Sequence, residues 1–202
     1  MNCALKDCRA WTGTVPDVPA GWFLEPDRTH GIHGAGHIRR VHILAERLML
    51  EMDWDDDAQN RVLCAALWHD IGRTHDGIEP EHGARSAAQL GLVDELPADD
   101  AAVVLFAIRY HSLDDVTAIA AADDGGVAAD DLRVAVNGAF GSASSFALPD
   151  PDAALDVLWL LKDADALDRI RLGVFGCCDP SYLRFERSRE LIGFARDLYT
   201  RF

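Results

Sequence analysis

Five residues in four separate segments carry side chains able to hold a cation: His37, the adjacent His69 and Asp70, His111, and Asp165. Each is phased with an apolar stripe. His37 lies four residues before Val41 and seven before Leu44, and His69 follows Val62, Ala65 and Ala66. Asp70 follows Leu63 and Ala66, His111 extends Val104 and Ile108, and Asp165 stands four after Leu161 and seven after Leu158. Positions three, four or seven apart share one helical face. Imidazoles and carboxylates turned toward a core without partners cost several kcal/mol apiece, so they must satisfy one another or surround a shared ion. Neutral imidazole nitrogens mixed with carboxylate oxygens suit a divalent transition metal (Mn, Fe, Co, Ni or Zn), with Mg possible, better than an all-oxygen calcium cage.

The elements that would position these groups are helices. Ile38, Val41, Leu44, Ala45 and Leu48 mark one over 34–52. Asp55, Asp56 and Asp57 offer caps and favourable charge to a second over 57–71, stopped at Gly72. Pro80 opens a third that runs to Leu90 before Gly91, and Pro97 with Asp99 and Asp100 opens a fourth through Tyr110. A long helix begins at Asp152 and keeps Leu155, Leu158, Leu161 and Leu172 in register, and a last one spans Pro180 to the C-terminus. No segment alternates as a strand. The expected class is all-α: a helical bundle with an irregular arm at 1–32 packed on a single domain at 33–202 that carries a loop-rich insertion at 114–150. Within the insertion, 137–148 reads as a possible lid.

The ordered set His37, His69-Asp70, Asp165 resembles the HD superfamily of metal-dependent phosphohydrolases. Gly36-His37-Ile38-Arg39-Arg40-Val41 is similar to that family's first helix, Leu67-Trp68-His69-Asp70-Ile71-Gly72-Arg73 to its signature dyad, and Ala164-Asp165-Ala166-Leu167 to its last acidic motif. The resemblance covers residues 33–172. It implies that His37, His69, Asp70 and Asp165 hold one metal. His82 and His111, between the dyad and the last Asp, resemble the added histidines of two-metal members, with Asp70 bridging; the mononuclear alternative leaves His82 lining the pocket and His111 in the core. By the same likeness Asp165, rather than Asp163 or Asp168, is the ligand. Asp168 is expected to orient a ligand from behind, and Asp163 to be solvated.

Asp70 and Arg73 are the catalytic candidates, since Arg73 follows the dyad glycine with a fork suited to phosphate. His33, Arg73, Arg169 and Arg184 are the candidates for substrate binding, His33 being equally readable as a cap. Arg171 could also face the pocket. His30, His42 and His75 are expected at the surface. The implied activity is hydrolysis of a small phosphoester, such as a nucleotide, by a metal-activated water. The same six ligands also fit a di-iron oxygenase of the HD-like type or a non-catalytic metal- or nucleotide-binding regulator.

Charge narrows the partners. The 34 acidic residues against 19 basic ones, a net charge of −15, argue against nucleic acid or an anionic membrane as partner. A small phosphate drawn in by bound metal remains compatible with that surface. No run reaches the ~18 apolar residues of a membrane span. No apolar stretch follows Lys6 and Arg9 as a leader would require, so a cytoplasmic protein is expected. Five cysteines without metal-knuckle spacing fit a reducing compartment, although Cys3 and Cys8 could form a zinc half-site instead of two surface thiols.

Overall fold

The computed structural model describes residues 17–89, 97–127, 146–175 and 178–201. Among them are eight helices: α1 (Ala35–Met52), α2 (Asp56–Trp68), α3 (His82–Gln89), α4 (Ala98–Tyr110), α5 (Asp115–Asp123), α6 (Pro151–Asp168), α7 (Glu186–Glu190) and α8 (Ile192–Tyr199). The fold is all-α. A two-residue antiparallel pair, Gly126–Val127 against Phe146–Ala147, is the one extended feature among the described residues, and it is too short for alternation to show in sequence.

Aspartates set three of the helix starts. Asp55 accepts from the Ala58 N–H, Asp114 from Thr117 and Asp150 from Ala153, each meeting a backbone donor that the helix cannot satisfy internally. Pro151 adds a preset φ at the first position of α6. α1 and α6 form the centre. α6 packs along α1 on one side and α4 on the other, while α2 lies against α1 and α4. Their shared face buries Ile38, Leu44, Leu48, Phe106, Ile108, Leu158 and Leu161.

Two close approaches fix where α3 sits. A Cβ on Gly83 would come within 2.7 Å of the carbonyl oxygens of Ile108 and Arg109, and one on Gly72 within 2.3 Å of the Ser86 nitrogen. Only glycine lets α3 lie this close to the end of α4 and to the turn after α2. That contact carries His82 up to His111.

Three expectations about the elements change and two about burial. α6 ends at Asp168, so Leu172, expected in its register, lies in the 3-10 segment Arg169–Phe175. α3 starts at His82 rather than Pro80, and Leu90 and the residues after it to 96 lie outside the described residues. The C-terminal helix is split into a 3-10 turn at Pro180–Tyr182 followed by α7 and α8. The cause is Asp163. Instead of being solvated it is wholly buried, and its carboxylate accepts from the backbone N–H groups of Arg184 and Phe185 and from Ser188 Oγ. Drawing two successive N–H groups to a side chain forbids helix at that point. His42, expected at the surface, is 2 % exposed because α1 is covered around most of its circumference, and burial pulls its imidazole down to about 4.

Of the arm, residues 17–32 form 3-10 turns at Ala20–Trp22 and Pro26–His30 that bury Val18 and Phe23 and stack Trp22 on Trp68. Residues 1–16, with Cys3 and Cys8, lie outside the described residues, as do 128–145, which include most of the expected lid, and Cys177. Among the described residues no helix is long and apolar enough to cross a membrane.

Candidate metal centre

Each imidazole of the centre is held by its Nδ1. His69 Nδ1 donates to the Ala66 carbonyl at 2.8 Å, His111 Nδ1 to Ile108 at 2.7 Å, and His82 Nδ1 to Glu79. His37 Nδ1 donates to Asp168 Oδ2 at 2.7 Å. Carbonyl and carboxylate oxygens only accept, so each Nδ1 must carry the proton and each neutral ring presents a bare lone pair at Nε2. Three of these bonds are local. They join a histidine to the carbonyl three residues earlier. For His69 and His111 this is at the C-terminal end of a helix, where carbonyls run out of helical partners, and for His82 it is in the turn before α3, where the Glu79 carbonyl also accepts the His82 backbone N–H.

The bare nitrogens face one another. His37 Nε2 is 3.1 Å from His69 Nε2, 3.2 Å from Asp70 Oδ2 and 3.3 Å from Asp165 Oδ1. On the other side of Asp70, His82 Nε2 is 2.9 Å from His111 Nε2 and 2.8 Å from Asp70 Oδ1, with His111 Nε2 at 3.6 Å from that oxygen. Asp70 thus turns one oxygen to each group of donors. Lone pairs converging at such distances repel unless something positive stands among them. Donors held about 2.1 Å from one divalent ion necessarily sit about 3 Å apart. The cluster therefore fits a metal by both chemistry and spacing, and His37, His69 and Asp165 alone bring three ligand atoms within 4.8 Å of one another.

Electrostatics prepares the same role. Burial pulls His69 down to about 3 and lowers His82, keeping both unprotonated. Burial would raise Asp70, yet it is held well below the usual carboxylate range, with His33 among the side chains hydrogen-bonded to it, and Asp165 is likewise held low by His37 and Arg171 despite its burial. His37 differs. Burial and Arg171 push it down, but Asp168, Asp70 and Asp165 outweigh them and leave it above its ordinary value. In the absence of a metal, a proton is the cation that His37 attracts.

The structure brings all six candidate ligands, His37, His69, Asp70, His82, His111 and Asp165, into this cluster. Asp168 stands behind His37 and is itself gripped by Arg40, whose Nε and NH2 donate to its two oxygens at 2.6 and 3.0 Å. Arg73 donates through Nε to Asp70 Oδ1 at 2.9 Å, and His33 Nδ1 lies 2.8 Å from Asp70 Oδ2. Exposure concentrates at this rim, where the side chains of Asp165, His33 and Arg73 are 31, 14 and 12 % accessible.

Two candidates are not brought to it. Arg169 caps the end of α6 with its side chain in solvent. Arg184 is committed to Asp163 and Asp115 and lies over the Trp159 ring. Besides Arg73 on Asp70, the arginines that reach the centre are Arg40 and Arg171, whose NH1 stands 3.8 Å from Asp165 Oδ1. Arg171, three residues after Asp168, was already a candidate to face the pocket; the placement of Arg40 is readable in retrospect, since it follows His37 by three residues.

The HD domain family model matches residues 34–170, more than half of the chain. No solved structure matches.

Proposed function

Because the chain belongs to the HD domain family, we propose that its metal centre hydrolyses a small phosphoester. The observation that carries this reading is Asp70, whose two oxygens serve two opposed sets of bare nitrogens. His37, His69, Asp70 and Asp165 would hold one divalent ion, and His82, His111 and Asp70 a second. Ions bound there supply Lewis-acid charge at phosphoryl oxygens and lower the pKa of a water near them. The protein's own groups do the rest. Asp168 and Arg40 hold the His37 ring in its donor orientation. Arg73 pins Asp70 and sets a guanidinium at the rim, suited to a phosphate oxygen. His33, beside Asp70 at the same rim, is placed to hold or pass a proton. The acidic surface favours a compact ester over a long polyanion.

The test is reconstitution. Protein stripped of metal is reloaded with Mn, Fe, Co, Ni, Zn or Mg and given a panel of small phosphoesters, with metal content and phosphate release both measured. Two ions per chain with metal-dependent phosphate release is the expected result. Iron-dependent uptake of O₂ with no phosphate released under any metal would overturn it in favour of the oxygenase chemistry open to the same ligands.

A further inference from the structure

Asp70 and His82 are joined by a stretch, residues 73–81, that has neither helix nor strand and no buried residue. Its one large apolar side chain, Ile78, is 96 % exposed. Hydrophobic burial therefore does nothing to fix this stretch, and its conformation rests on polar contacts. Two of these are exposed and weak: Arg28 pairs with Asp76, and Arg73 NH1 donates to the Gly77 carbonyl. Glu79 differs. Its side chain is only 8 % exposed and is answered on both oxygens. Thr74 donates to it through Oγ1 at 2.6 Å and through its backbone N–H at 3.2 Å, the His75 N–H lies at 3.5 Å, and Arg85 of α3 donates NH2. The same guanidinium donates Nε to the Gly72 carbonyl at 2.9 Å, so Arg85 closes the stretch across its two ends.

The Glu79 carbonyl is where this network meets the centre. It accepts both the Nδ1–H and the backbone N–H of His82. Beside it, Ser112 Oγ donates to the Pro80 carbonyl at 3.0 Å, one residue from His111. His69 and His111 rest on the carbonyls of Ala66 and Ile108, which lie within α2 and α4 and whose positions those helices set. Of the three histidines held by carbonyls, only His82 depends on one outside a helix, so a side chain has to hold that carbonyl still. We propose that Glu79 is a positioning residue for His82: its carboxylate fixes the carbonyl that turns the His82 ring, and so sets the affinity of the ion held by His82, His111 and Asp70. The second half of this statement rests on the two-ion reading above.

Zinc titration calorimetry of the metal-free chain tests this, with His82→Ala marking the binding step that belongs to the His82 group. Glu79→Gln keeps the size of the side chain but turns an amide NH₂ toward donors and breaks the pair with Arg85. It is expected to weaken the ion of the His82 group by at least ~10-fold and to leave the ion at His37 unchanged. Asp76→Asn, which cuts the exposed tie to Arg28 in the same stretch, should leave both. Proton–nitrogen NMR correlations of the metal-free chain give a second readout. His82 should stay in the single Nδ1–H tautomer in the parent and in Asp76→Asn, and average between tautomers in Glu79→Gln. A role confined to stability lowers the Tm of Glu79→Gln with both zinc affinities and the tautomer unchanged; that result would overturn the proposal, as would equal weakening of both ions. If Glu79→Gln does not fold, Arg85→Met removes the same pair from the α3 side and should give the same pattern.

The same data keep the two readings apart. A parent that takes up a single zinc refutes the second ion, and the tautomer then decides whether Glu79 holds His82. Two zincs per chain with no phosphate released under any metal refute the hydrolysis, while the zinc comparison still decides the role of Glu79.

Discussion

Asp163 and Asp165 stand two residues apart on α6, both in the sequence Lys162-Asp163-Ala164-Asp165, and they end in opposite circumstances. Asp163 is sealed from solvent and fully answered: two backbone N–H groups, Ser188 Oγ and Arg184 all donate to it. Asp165 Oδ1 is buried with no hydrogen-bond partner and faces His37 Nε2 at 3.3 Å. The first carboxylate holds the C-terminal segment to the core, and the second helps to form a hole of cation size. Burial of a polar group is therefore not the sign of a site. The sign is acceptors that converge without donors, because a folded chain tolerates that only where an ion completes it.

The comparison breaks most visibly at Asp70, which belongs with Asp165. Asp70→Ala is expected to reduce phosphoester hydrolysis by more than ~10³-fold and to empty both groups of donors, with the helical circular dichroism spectrum unchanged. Bound metal and full activity in that variant would remove the distinction between the two kinds of aspartate. Asp163→Ala should do the reverse. It leaves buried N–H groups unmet and costs about 3 kcal/mol of stability, read by urea denaturation, while the folded fraction keeps its metal.

Finer effects sharpen the contrast within the centre. His82→Ala is expected to reduce bound metal from two ions to one, measured by elemental analysis, because the donors around His37 remain whole. Metal binding should also weaken in acid. His37 is held above its ordinary pKa and must lose its proton to bind, so affinity falls about 10-fold per pH unit below that pKa, as competition with a chelator at graded pH would show.

Glu46 supplies a third and mildest kind of carboxylate. Burial pushes it from 4.5 up to about 7. Between those values the unfolded chain has lost the proton that the native chain keeps, so native stability falls as pH rises through that window. Glu46→Gln removes the slope and should stabilise the chain above it by about 0.5 kcal/mol, the small size reflecting solvent screening of a partly exposed group.

Much of this was legible in the chain itself. Asp55 caps the helix that follows it, as its position promised, and the apolar phasing of His37, His69, Asp70, His111 and Asp165 turns each toward the interior; the caps at Asp114 and Asp150 came from the structure. Periodicity carries that information because a helix face is set by residue spacing alone. His82 was not reached by phasing; its place depends on how closely Gly83 lets α3 approach α4, a contact between segments. His42 and Asp163 were misplaced for a related reason, since a polar type in sequence is silent about whether another element will cover it.

What the sequence by itself determined is the all-α class, most of the helices before the C-terminal segment, and the faces on which His37, His69, Asp70, His111 and Asp165 lie. The tertiary structure decided which oxygen of Asp70 meets which histidines, that Asp163 is answered and Asp165 is not, and that Arg40 and Arg171 rather than Arg169 and Arg184 approach the centre. These depend on atoms brought together from residues as far apart as His37 and Asp168. Helical spacing sets the direction of a side chain from its own axis, whereas the partner it finds is set by packing between axes, which no local pattern records.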